Sequence, residues 1–166
     1  MVARTRFDDA PCPVARSVDA IGDRWALLIV RDAFDGSRRF GEFRRSLGIA
    51  KNILAARLRS LEEAGVLRGT PAPDGAPHHE YVLTERGRAL FPVIVALRQW
   101  GEEECFAPGE PRSRLLDRRT GRPLRPLEVR AADGRAVEPA DTVVEKAEKR
   151  EKGEKGERAE DATGNG

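Results

Sequence analysis

The chain has 166 residues, room for one domain with extras or two very small ones, and its formal net charge of +2 says little by itself. No run approaches the roughly 18 apolar residues of a membrane span, and the first residues lack the charged-then-apolar order of a signal peptide. Only Cys12 and Cys105 are present, without a CxxC pair, which excludes a disulfide framework and fits a soluble protein of the reducing cytoplasm.

The aromatic residues bound the packed region. Phe7 is the first and Phe106 the last, so the core is expected to end near residue 106. Residues 1–11 are polar and read as a flexible N-terminus. Val14, Val18 and Ile21 then recur at helical spacing, and Gly22 interrupts them. Asp23 is suited to cap a second helix, "RWALLIVRDAF", with Trp25, Leu28 and Ile29 on one side. A third helix, starting near Arg39, carries Phe40, Phe43 and Leu47. Gly48 breaks it before "AKNILAARLRSLEEAGVL".

In that fourth helix Leu54, Leu58 and Leu61 form an inward stripe, and Gly65 ends it. "VLRGT" and "HEYVLT" are strand candidates joined by "PAPDGAPH", in which Asp74-Gly75 signals a turn. Thr84 is expected to cap a long helix running to about Glu104, kinked at Pro92, where an internal hydrogen bond is lost. Leu90, Phe91, Val93, Ile94, Val95, Leu97 and Trp100 cover more than one face of it. The surplus implies a second burial surface.

Residues 107–144 form an extension in which Thr120-Gly121 and Asp133-Gly134 mark turns of two weak hairpins. Residues 145–166, a mixed-charge run with nothing to bury, read as a disordered tail.

Two helices joined by a tight turn, followed by strand-turn-strand, describe a winged helix-turn-helix: mainly α with a small β-hairpin wing. The second helix of such a pair enters the major groove of DNA. Between residues 38 and 59, Arg38, Arg39, Arg44, Arg45, Lys51, Arg57 and Arg59 face Glu42 alone, the local field a polyanion would feel. Lys51, Asn52, Ala55 and Ala56 are the base-reading candidates. Asn pairs bidentately with adenine, and small alanines let the helix sit deep and touch thymine methyls. Arg38, Arg39, Arg44, Arg45, Arg57 and Arg59 are phosphate candidates, with Arg68, His78 and His79 at the wing. The alternative is a solvated amphipathic helix with ordinary surface charge.

"CPV" at 12–14, "GDRWALLIVRDAFDGSRRFGEFRRSLGI" at 22–49, "LAARLRSLEEAGVL" at 54–67, "EYVLTERGRAL" at 80–90 and "ALRQWG" at 96–101 resemble the HxlR-type transcriptional regulators. The resemblance covers residues 12 to about 104, within one domain expected at 12–106. It implies a homodimeric repressor or activator, read here as a repressor, of double-stranded DNA bearing an inverted repeat. Dimer contacts would come from the N- and C-terminal helices, here Val14, Val18, Leu90, Ile94, Leu97 and Trp100. Two departures stand out. Relatives often carry Ser where this chain has Ala50, so a helix cap worth about 1 kcal/mol is absent. The wing tip "PAPDGAP" holds no Lys or Arg.

Some relatives sense electrophiles or oxidants through a Cys at the position of Cys12. A thiol at a helix start lies where the dipole favours anionic sulfur, and Pro13 suits the first turn. The alternative is a small packed residue with no sensing role. His78 and His79 alone make a poor metal site, since structural zinc wants four ligands, so neither metal nor other cofactor is expected. No catalytic triad, phosphate loop, nucleotide-binding glycine motif or HExxH occurs, and enzymatic activity is not expected. Two rival functions remain: a winged helix docking an acidic protein, and a nonspecific nucleic-acid binder.

Overall fold

A computed structural model describes residues 7, 9–72 and 79–147. Among these residues six α-helices and one hairpin follow in the order α1 (Pro13–Ile21), α2 (Arg24–Phe34), α3 (Phe40–Leu47), α4 (Lys51–Glu63), β1 (Leu67–Pro71), β2 (His79–Leu83), α5 (Glu85–Arg88) and α6 (Phe91–Glu104), with a single 3-10 turn at Pro139–Asp141. The result is a mainly helical winged helix-turn-helix. The Asp74-Gly75 turn, residues 1–6 and 8 of the N-terminus, and the charged tail from residue 148 lie outside the described residues.

The core forms where the apolar spacings of α2, α3 and α4 converge. Ile29, Val30, Phe43, Leu54, Leu58, Leu61 and Leu67 are all but completely buried there. Phe43 meets the Tyr81 ring edge-on, with centroids 6.4 Å apart, and so joins α3 to the wing.

Local chemistry fixes where each helix begins and ends. The Asp23 carboxylate accepts from the Trp25 amide at 2.9 Å, capping α2 as expected. The Glu42 carboxylate accepts from the Arg38 and Arg39 amides at 2.7 and 2.9 Å, which fixes the entry into α3. These two bonds, first of all that from Arg38, hold the Glu42 carboxyl below the ordinary glutamate range. At the end of α4, Gly65 has φ +68°. The Val66 amide donates to the Leu61 carbonyl and the Gly65 amide to the Glu62 carbonyl, both at 2.9 Å. This pair of bonds needs a left-handed residue, hence glycine.

The hairpin is antiparallel, with Leu67 opposite Leu83, Gly69 opposite Tyr81 and Pro71 opposite His79. Its outer edge is taken up by the segment leading into α3, where the Tyr81 amide donates to the Arg38 carbonyl at 2.8 Å and Arg39 bridges Glu80. The wing is thereby tied to the helix-turn-helix.

One expectation is corrected. Residues 84–104 are two helices, not one kinked helix. Thr84 caps only the four-residue α5, accepting from the Gly87 amide at 3.0 Å and donating to the Gly65 carbonyl at 2.6 Å. The chain then turns at Ala89 and Leu90, and Pro92 stands in the first turn of α6. Without an N–H, proline cannot bond back to residue 88, so it starts a new helix where its missing donor costs nothing.

The extension is docked on α6. The Gln99 side chain donates to the Arg125 carbonyl at 2.9 Å and accepts from the Leu127 amide at 2.8 Å. Arg98 donates to the Ser113 hydroxyl at 3.0 Å. Two tight turns follow the expected glycines. Leu116 bridges Pro123 around the first, and Arg130 bridges Ala136 around the second.

Candidate nucleic-acid interface

Helix α4 turns Leu54, Leu58 and Leu61 into the core. A helix with 3.6 residues per turn must then carry Asn52, Ala56 and Arg59 on its opposite side, and all three are exposed. Lys51 is also exposed at the first turn, whereas Ala55 is half-buried on the flank. Arg44 and Arg45, in the last turn of α3, and Arg38 just before that helix are exposed as well. Gly48, with φ +60°, turns the chain between α3 and α4.

Not every candidate arginine is equally available. Arg57 is on the other flank of α4, its Nε 2.9 Å from the Asp23 carboxylate that caps α2. The ion pair ties the helix holding the candidate base readers to the helix behind it. A phosphate would have to share the Arg57 guanidinium with Asp23. Arg39 lies 3.3 Å from the half-buried Glu80 and so braces the wing. Arg68 and His79 are exposed on the two wing strands, while His78 is outside the described residues.

Spacing alone did not single out Ile53. It is 39% exposed in the first turn of α4, beside Asn52. An apolar residue on the polar flank of an amphipathic helix was the available signal, and its side chain suits contact with a thymine methyl.

The expected surplus of apolar surface is present but composed differently. Val14 and Val18 on α1, and Phe91, Val93, Leu97 and Trp100 on α6, are exposed, Trp100 at 61%. Ile94 is buried at 8% and belongs to the chain's own core, against which Leu90 also packs. These two residues therefore serve intramolecular packing.

Cys12 is the N-cap residue of α1 and is exposed, as is Cys105 at the end of α6. Among the described residues, no group of three or more His, Cys, Asp or Glu side chains could hold a metal ion, and no helix is long and apolar enough to cross a membrane.

The family model for the HxlR-like helix-turn-helix matches residues 20–107, more than half of the chain. The uncharacterised HTH-type transcriptional regulator Rv3095 of Mycobacterium tuberculosis is 47% identical over 102 residues, or 61% of this chain and 65% of that protein. The chain thus matches just under two-thirds of the length of this curated relative. Among solved structures, PA1607, a candidate transcription factor, is 57% identical with a TM-score of 0.82, covering 85% of this chain and 99% of that one. The redox regulator HypR in its reduced form is 36% identical with a TM-score of 0.52, covering 57% of this chain and 94% of that one.

Proposed function

Because the chain belongs to the HxlR-like helix-turn-helix family, we propose that it is a sequence-specific DNA-binding transcriptional regulator, acting as a homodimeric repressor. One observation carries this reading. The face of α4 opposite the buried leucines offers Lys51, Asn52, Ala56 and Arg59 to solvent, with Arg44 and Arg45 of α3 beside it.

In the proposed complex α4 enters the major groove. Asn52 pairs with adenine, and Ala56, Ile53 and the half-buried Ala55 supply close apolar contact. Lys51 reaches a guanine or a phosphate at the helix start. Arg38, Arg44, Arg45 and Arg59 grip phosphates, setting register without reading sequence, and Arg68 and the wing histidines add contacts outside the groove. Arg57 and Arg39 act one step back, holding α4 and the wing in place through Asp23 and Glu80.

Two copies would pair through the exposed apolar residues of α1 and α6, with Val14, Val18, Leu97 and Trp100 central. Their two α4 helices would then meet successive major-groove faces of an inverted repeat, about one helical turn or a multiple apart. Cys12 is the proposed control point, because an exposed thiol at the N-cap of α1, two residues before Val14 of the apolar seam, is accessible to an oxidant or electrophile. Its modification would shift the seam and hence the spacing of the two α4 helices. Redox control described for the similar protein HypR supports the same reading.

The test is a mobility shift on DNA upstream of the protein's own coding region, with random duplex as competitor. Asn52→Ala should reduce the preference for the specific site, whereas Arg44→Ala should weaken specific and random binding alike. Equal losses in both variants would overturn the division of roles. For the switch, diamide should weaken binding by the wild type but not by Cys12→Ser. An unaltered response in that variant would exclude Cys12.

A further inference from the structure

The extension carries an uneven charge that the winged helix does not explain. From residue 112 to 125, Arg112, Arg114, Arg118, Arg119, Arg122 and Arg125 accompany a single acid, Asp117. All six arginines are exposed, and among the described residues none pairs with a carboxylate. Asp117 is occupied in building the turn. Its carboxylate accepts from the Thr120 amide at 2.6 Å, while its carbonyl accepts from the Gly121 amide at 2.8 Å. The second hairpin differs in a telling way. There Arg130 pairs with Glu128, and Arg135 lies 3.5 Å from Asp141, so its charge is neutralised internally.

The basic hairpin is also held in place. Arg98 grips Ser113 at its beginning and Gln99 grips the Arg125 carbonyl at its end, two neighbouring residues of α6 closing both sides. A mere solubilising tail needs neither uniform sign nor such anchoring. Unneutralised arginines on a fixed turn are the usual means of holding phosphate.

We propose that the hairpin of residues 112–125 is a second DNA-backbone contact, an arm that adds sequence-independent phosphate binding outside the footprint of the winged helix. The proposal rests on the DNA-binding reading above. The 85% coverage by PA1607 reaches beyond the 20–107 family match, so at least part of the extension is shared with a solved fold.

The test compares the full chain with the triple variant Arg118→Gln, Arg119→Gln, Arg122→Gln, by fluorescence anisotropy on an arbitrary duplex of about 40 base pairs, from 50 to 200 mM salt. These side chains make no cap or core contact, and circular dichroism should confirm an unchanged fold. If all three contact phosphate, the salt slope per protomer falls by about 2.7, so the wild type loses about 40-fold more affinity than the variant across that range. A slope reduced by about 0.9 would mean one contact and still support the arm. Equal slopes and affinities, with the wild type bound, would overturn the arm and leave the winged-helix reading intact, the arginines then serving some other acidic surface. Absence of wild-type binding to this duplex even at 50 mM salt would also overturn the arm, while the winged-helix reading stands or falls on the mobility shift with the specific site.

Discussion

Gly87→Ala should destabilise the protein by about 2–3 kcal/mol, although alanine is the better helix former. Gly87 is buried in α5, where that helix packs against Val66, the residue just before β1. A Cβ there would run into the Val66 carbonyl oxygen, with its carbonyl carbon at 3.2 Å and Leu83 Cδ2 at 3.0 Å. Backbone, unlike a side-chain tip, cannot swing aside, so α5 must retreat by about 1 Å. The Val66 carbonyl also accepts from the Thr84 amide at 3.1 Å, a bond the retreat would stretch. Overpacking costs about 1–3 kcal/mol and a weakened buried hydrogen bond about 1 kcal/mol. The helix-propensity gain, at most about 1 kcal/mol, offsets part of this. In urea, with a slope near 2 kcal/mol/M, the midpoint should fall by about 1–1.5 M at unchanged slope. A midpoint within about 0.25 M of the wild type would refute the packing argument.

Three other outcomes are expected. Glu42→Ala should cost about 1 kcal/mol at neutral pH through loss of the bonds from the Arg38 and Arg39 amides, a modest figure because the site is near solvent. The folded-state carboxyl is held low, so its stabilisation is present above the unfolded value and lost as pH falls through the folded one; the wild-type advantage in urea melts should close as pH drops below about 4.3. Ala50→Ser supplies a hydroxyl to the uncapped start of α4, where the backbone is already extended, and should raise stability by about 1 kcal/mol by the same melts. Trp100→Glu should weaken self-association about 30-fold or more in sedimentation analysis while leaving the protomer folded, since that side chain is 61% exposed within it.

Much of the fold was legible because it is written in local patterns. The leucine stripe of α4, the Asp23 and Thr84 caps, the two strands and Gly65 each declare themselves within a few residues. The kink expected at Pro92 failed for a physical reason: a missing donor is compatible with either a kink or a helix start. Tertiary packing of Ile94 and Gly87, and the turn at Ala89 and Leu90, favours the latter. Long-range ion pairs are invisible in a linear reading. Nothing near Arg57 in the chain announces that Asp23, on another helix, will claim it, and the same holds for Arg39 and Glu80. Composition also understated the extension, whose docking depends on Gln99 and Arg98 meeting backbone far along the chain.

Selection of duplexes from a randomised pool by the full-length chain tests the DNA-reading role of α4 most directly. The wild type should enrich an inverted repeat, and Asn52→Ala should degrade the consensus at symmetry-related positions while remaining folded. A pool that gains no motif, or a motif indifferent to every substitution at Lys51, Asn52 and Ala56, would contradict it.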